Sequence, residues 1–179
     1  MPGKARSPRR IYLSMGTNLG NRRANLERAL RLLTAKVKLL KVSPIYETKP
    51  IGYANQPDFL NIVYMGATRL SPEQLLAFVK STERQMGRKR TFKNGPRIID
   101  IDIIFFGRSV VSTPGLTIPH PRAVGREFVL RPLADIAPYV VHPVLHKTAS
   151  RLLRELGKKQ GVRKVGTALK GYNQSIRHS

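Results

Sequence analysis

The run Gly95-Pro96-Arg97-Ile98-Ile99-Asp100-Ile101-Asp102-Ile103-Ile104-Phe105-Phe106-Gly107 constrains this chain more than any other stretch, because it sets two carboxylates inside an otherwise apolar segment. β-Branched and aromatic residues bounded by Gly-Pro and Gly predict a buried strand. Side chains alternate across a strand, so Asp100 and Asp102 share one face with Cα atoms roughly 6.5–7 Å apart. Two ionised carboxylates facing a core are too costly to leave unpaired. Either arginines at the strand end hold them in a structural ion-pair network, or they ligate a hard cation such as Mg²⁺ through oxygen. The cationic segment just upstream favours the second reading. Arg84, Arg88, Lys89, Arg90, Lys93 and Arg97 fall close together, punctuated by Gly87 and Gly95. Acidic metal ligands beside an Arg-rich, Gly-punctuated loop are the two halves of a polyphosphate site, where metals bridge phosphate oxygens and guanidinium forks neutralise the rest.

A length of 179 residues suits one domain with a proper core. The longest apolar runs are strand-sized, which excludes a transmembrane helix. Residues 1–10 are basic but lack a following apolar region, so no secretory signal is read there and the expected location is the cytoplasm. With no cysteine there is no disulfide framework or thiolate metal site. The formal charge of +23 invites a nucleic-acid reading, yet about half of it falls in residues 1–10 and 147–179. We therefore expect a basic N-terminal tail over 1–10, a single domain over 11–160 and a basic C-terminal tail over 161–179, the tails available for non-specific polyanion binding.

Ile11 to Met15 reads as a strand, and Gly16 to Asn21 as a turn into a helix whose apolar face is Leu26, Ala29, Leu30 and Leu33. Val37 to Thr48 is extended with an interruption at Pro44. Lys49 to Pro57 is a long loop, and Asp58 to Thr68 a third strand. Ser71-Pro72-Glu73-Gln74 has the pattern of a capped helix start, and that helix stops at Gly87. After the Asp-x-Asp strand come short strands near Val110-Val111 and Leu116 to Ile118, then helices over Arg126 to Ile136 and Thr148 to Leu156. The order βαββαβ predicts an α+β, ferredoxin-like fold, an antiparallel sheet with helices packed on one face.

These residues resemble the 6-hydroxymethyl-7,8-dihydropterin pyrophosphokinases of folate biosynthesis. The resemblance covers roughly residues 11–145 and rests on four ordered motifs: Gly16 to Gly20, Tyr46-Glu47-Thr48 through Pro57 to Asn61, Gly95-Pro96-Arg97 with Asp100 and Asp102, and Leu116 to Pro121 followed by Arg126 and Phe128. It implies transfer of a diphosphate from ATP to the pterin hydroxymethyl group, with two Mg²⁺ ions on Asp100 and Asp102. It implies catalytic phosphate clamps at Arg88 and Arg97, and ATP contacts from Glu83, Arg88, Arg90, Arg97, Ile103, Thr117, His120 and Arg126, with His120 as a phosphate donor. It places the pterin between Phe59 and Phe128, beside Asn61, Thr48 and Ile51. Phe59 and Asn61, two apart on one strand, suit a flat heterocycle on their own account: one stacks and the other reads an edge. Relative to the family pattern the 87–95 loop is one residue short, Asn94 replaces a tryptophan, and Phe92 is the substitute aromatic. The alternative reading is a basic ferredoxin-like RNA-binding module, though the aromatic strand motif of such modules is missing.

Overall fold

The computed structural model describes residues 6–167 and 169. Strand β1 (Arg9–Thr17) runs between its antiparallel partners, later in the chain: Phe59–Thr68 on one side and Asp100–Phe106 on the other. Helix α1 (Arg22–Leu33) follows, started by the Asn21 side chain, which accepts from the Ala24 amide. Strands β2 (Lys38–Val42) and β3 (Ile45–Thr48) are two pieces of one edge broken near Pro44, and both pair with β4 (Phe59–Thr68). Helix α2 (Pro72–Gln85) carries the expected reciprocal cap between Ser71 and Gln74, and leads to Gly87 in the left-handed region at φ 88°. Next come β5 (Asp100–Phe106), the hairpin β6 (Val111–Thr113) and β7 (Leu116–Ile118), helices α3 (Glu127–Ile136) and α4 (Ala149–Glu155), and β8 (Arg163–Gly166). The main sheet has the order β5-β1-β4-β3-β8, with β2 also on β4, as the ferredoxin-like reading requires.

Helices α1 and α2 pack on the face formed by Ile11, Leu13, Met15, Ile62 and Ile101. The expectation of helices on one face alone is corrected by α3 and α4, which cover Tyr12, Val63, Met65 and Phe105 on the other. The reason lies in β5: Ile103 to Phe106 are apolar at successive positions, and a strand without alternation needs cover on both sides. The chain ends also depart from the expected tails. Arg9 and Arg10 are already in β1, opposite Thr68 and Ala67. β8 extends the sheet along β3, and Arg163 meets Glu47 at 2.6 Å, so part of the C-terminal basic stretch is held by a local acid. Residues 1–5, 168 and 170–179 of those tails lie outside the described residues. Among the described residues no helix is long and apolar enough to cross a membrane.

Candidate active site

Helices α3 and α4 cover only half of their face of the sheet. The other half is the floor of a cleft of about 460 Å³, built from Ser14 and Gly16 of β1, Phe59 and Asn61 of β4, Thr48 of β3, and Asp100 and Asp102 of β5. The register explains the grouping. Asp100 and Asn61 stand opposite Gly16 from its two sides, two strand spacings or roughly 10 Å apart. A Cβ on Gly16 would lie 3.0 Å from Asn61 Oδ1, so a larger residue would press the amide aside by a few tenths of an ångström. Asn61 Nδ2 donates to Thr48 Oγ1 at 3.0 Å, which fixes the amide's orientation.

At the carboxylate end, Arg88 Nη1 donates to Asp100 Oδ1 at 2.7 Å and Arg97 Nη1 donates to Asp100 Oδ2 at 3.1 Å. Arg88 is also held by Glu83 Oε1 at 2.6 Å. Glu83, only 3% exposed, accepts in addition from the Ile101 amide at 2.7 Å and from Lys80 at 3.1 Å. Burial raises the Glu83 pKa, countered in part by the Ile101 amide, Lys80 and Arg88. Asp102 differs: among the described residues no hydrogen bond reaches its carboxylate, and its one ion-pair contact is His120 Nε2 at 3.8 Å. Burial, then the charge of Asp100, pushes the Asp102 carboxyl up, while burial pushes His120 down. Both groups are thus drawn towards neutrality and do not form a tight charged pair. The Arg122 amide donates to His120 Nδ1 at 3.2 Å, which leaves the ring proton of neutral His120 on Nε2, on the Asp102 side.

A second pair of contacts joins cations to rings: the Arg97 guanidinium lies 5.5 Å from the Phe59 ring centre and that of Arg126 5.5 Å from Phe128. The cleft is strongly positive. Lys49, Lys80, Lys93 and Arg122 line it together with Arg88, Arg97 and Arg126, against only two carboxylates.

The segments around the cleft are tied by Asn18, which is buried. Its Nδ2 donates to Gln56 Oε1 (2.9 Å) and to the Pro57 carbonyl (3.0 Å), and its Oδ1 accepts from the Arg97 amide at 2.8 Å. Gln56 Nε2 in turn donates to the Asn94 carbonyl at 2.7 Å. Asn94 has φ 61°, a conformation asparagine tolerates far better than a bulky ring, and Gly52 lies so close that a Cβ there would meet Asn94 Nδ2 at 2.4 Å. The substitute aromatic does pack: Phe92 meets Tyr53 edge-to-face at 4.9 Å between centres. Replacing Asn18 with Ala removes three hydrogen bonds, lowering the free energy of loop opening by about 3 kcal/mol. Amide exchange at Arg97 should then quicken by about 100-fold, measurable by hydrogen exchange in the free protein.

Of the residues singled out in the sequence, Arg88, Arg97, Asp100, Asp102, Arg126, Thr48, Ile51, Phe59, Asn61 and Phe128 line the cleft together. His120 borders it through Asp102. Glu83 lies beneath it, holding Arg88, and Arg90 and Thr117 are exposed outside its wall. The Ile103 side chain is in the core, because it alternates with Asp102 and so points to the opposite face, which leaves only its main chain towards the cleft side. Sequence reasoning missed Ser14, Lys49, Lys80 and Arg122, whereas Lys93 belongs to the cationic segment it had marked. For Lys80 a signal existed, since it stands one helical turn before Glu83.

Fold and cleft together define a ferredoxin-like α+β domain with a cationic cleft whose floor carries an aromatic–amide pair at one end and two carboxylates at the other. The chain belongs to a known family: a family model described as 7,8-dihydro-6-hydroxymethylpterin-pyrophosphokinase matches residues 12–138. It is 41% identical over 137 residues to the 2-amino-4-hydroxy-6-hydroxymethyldihydropteridine pyrophosphokinase of Aquifex aeolicus, covering 76% of this chain and 86% of that protein. It is 45% identical over 135 residues to the folic acid synthesis protein fol1 of Pneumocystis carinii, covering 75% of this chain and 18% of that protein. The chain spans about a fifth of the length of the Pneumocystis, Dictyostelium and Schizosaccharomyces proteins it matches. The same fold is seen in a crystal structure of a Plasmodium falciparum HPPK-DHPS variant with pterin and p-hydroxybenzoate, at 19% identity and a TM-score of 0.70, covering 86% of this chain and 44% of that one. Family membership leaves the RNA-binding alternative without support.

Proposed function

We propose that this chain transfers the β,γ-diphosphate of ATP to the hydroxymethyl group of 6-hydroxymethyl-7,8-dihydropterin, giving AMP and the pterin diphosphate. The observation that carries the reading is the shared floor: Asn61 and Phe59 lie on one side of Gly16 and Asp100 on the other, so a single cleft can hold a heterocycle and a polyphosphate end to end. Phe59 and Phe128 would stack the ring, while Asn61, oriented by Thr48, reads its edge and Ile51 borders it. Arg88, Arg97 and Arg126 would grip the phosphates, and His120, with its Nε2 proton facing the carboxylates, would donate to a phosphate oxygen. Through the resemblance, Arg90 and Thr117 are assigned to the nucleotide as well, and Glu83 acts by holding Arg88.

In the reaction the hydroxymethyl oxygen bonds to the β-phosphorus, the bond from that phosphorus to the α,β-bridging oxygen breaks, and AMP departs with the electron pair. The hydroxyl proton is released. The chain's own contribution is to line up the two substrates and to surround the transferred group with fixed positive charge. Asp100 and Asp102 would hold two Mg²⁺ ions. The donor set fits, since Asp102 is a partly exposed carboxylate that accepts no hydrogen bond among the described residues, and it shares a face with Asp100. No group of three or more His, Asp or Glu able to hold a metal occurs among the described residues, so the remaining ligands would be phosphate oxygens and water. When bound, the ions would supply charge neutralisation to the transferred phosphates. The cytoplasm, where ATP is at hand, is the proposed location.

The test is AMP release by the purified protein with ATP, Mg²⁺ and the hydroxymethyl pterin. AMP should form in step with pterin diphosphate, and only when both pterin and Mg²⁺ are present. Absence of AMP from folded protein at every Mg²⁺ concentration overturns the reading.

A further inference from the structure

The residues that follow the family match contribute one contact network that the motifs do not contain. Helix α3 starts without a side-chain cap of its own: Arg126, at the capping position, makes no capping hydrogen bond. The first turn of a helix leaves its amides without partners, and Ser, Thr, Asp or Asn at the cap usually supplies one. Here the partner comes from 33 residues downstream. Gln160 Oε1 accepts from the Glu127 amide at 3.0 Å, and Gln160 Nε2 donates to the Gly125 carbonyl at 2.9 Å. Its own backbone amide donates to Glu127 Oε2 at 2.6 Å. Glu127 is buried, and its other oxygen is held by Arg131 Nε and Nη2 at 3.0 and 2.7 Å. Gln160 thus fixes the backbone on both sides of Arg126 and holds residue 127 from main chain and side chain at once. The two residues flanking Glu127 are Arg126 and Phe128, the only part of α3 and its cap that lines the cleft.

We infer that Gln160 is a positioning residue, which sets Arg126 and Phe128 in the cleft by capping α3 from outside the matched domain. The inference rests on the proposed function for the identity of the ligands. A shift of the α3 start by a fraction of an ångström would move the Phe128 ring and the Arg126 guanidinium together, since the latter lies over the former. Side-chain positions in a site need holding by a supporting layer, and losses of ten- to a hundredfold are usual when such a layer is removed.

The test compares Gln160→Ala with Arg163→Ala, both in the full chain. Arg163 belongs to the same C-terminal segment but pairs with Glu47 and makes no hydrogen bond or ion pair with α3 among the described residues, so it reports what loosening the segment does by itself. Affinity for the hydroxymethyl pterin and for ATP is read by direct titration, and thermal stability is read in parallel. Gln160→Ala should bind both ligands about tenfold more weakly, whereas Arg163→Ala binds them as wild type does. In a Phe128→Ala background, Gln160→Ala should cause little further loss of pterin affinity, as coupled residues require. Equal ligand affinities in Gln160→Ala and wild type, or an equal loss in Arg163→Ala, overturns the positioning role. Wild type that binds both ligands yet releases no AMP overturns the proposed reaction alone. Wild type that binds neither overturns both.

Discussion

Asp102→Ala should lower kcat by about three orders of magnitude while leaving the protein as stable as before or slightly more so. The rate follows from charge. If Asp102 holds Mg²⁺ as proposed, its loss forfeits several kcal/mol of transition-state stabilisation, and about 4 kcal/mol is a factor of roughly 10³ in rate. The stability follows from the geometry: no hydrogen bond is lost, because none reaches Asp102 among the described residues. Its carboxyl is pushed up by burial and by Asp100, so the folded protein holds that proton more tightly than the unfolded chain does. Stability therefore falls as pH rises through the window above the ordinary aspartate value, and Ala at this position removes that fall. Such a site trades stability for function. Asp100→Ala should behave differently. It also leaves Arg88 and Arg97 without their shared carboxylate, so it should lose both rate and stability. Steady-state kinetics with denaturant unfolding of the two variants checks the contrast, and near-normal turnover by Asp102→Ala with Mg²⁺ would contradict the metal assignment.

The floor of the cleft was legible in the sequence because strand alternation is short-range and strict. Phe59 with Asn61, and Asp100 with Asp102, each declare a shared face from a spacing of two. The same rule assigns the Ile103 side chain to the core, so its expected contact with ATP would run through main-chain groups. Which face α3 and α4 would cover was also encoded, in the unbroken apolar run Ile103 to Phe106, but only as a demand for two-sided burial and not as a choice of helix. What no local pattern carries is contact between distant segments. Asn18 meets Gln56 and Arg97, and Gln160 meets Glu127, through side chains whose spacing follows no period. Turn residues such as asparagine also read first as turn formers, so the tie made by Asn18 is masked by its more common local role.

Glu83 combines a pattern that was readable with a consequence that was not, and it gives the second large effect. On α2 the buried residues are Leu75, Val79, Thr82 and Glu83, an inward stripe that ends in an acid. Glu83→Ala strips the Ile101 amide of its acceptor at the start of β5 and removes one of the two carboxylates holding Arg88. Breaking a buried charge network by deleting one partner costs about 3 kcal/mol, and kcat/KM should fall ten- to a hundredfold as Arg88 loses its anchor. Glu83→Gln separates hydrogen bonding from charge. The amide oxygen can still accept from Ile101 and Arg88, while the amide nitrogen replaces the oxygen that accepts from Lys80, a half-exposed side chain free to turn to solvent; the glutamate it replaces is held above its ordinary pKa by burial. Since the folded state keeps that proton longer than the unfolded chain, wild-type stability declines as pH rises above the usual glutamate value, and Gln removes this decline. Glu83→Gln should therefore unfold close to wild type at neutral pH and retain most of its turnover, while Glu83→Ala loses both. Urea midpoints and kcat/KM for the pair decide it. A Gln variant as inactive as the Ala variant would mean that the charge of Glu83 acts on the substrates directly, and that its hold on Arg88 is secondary.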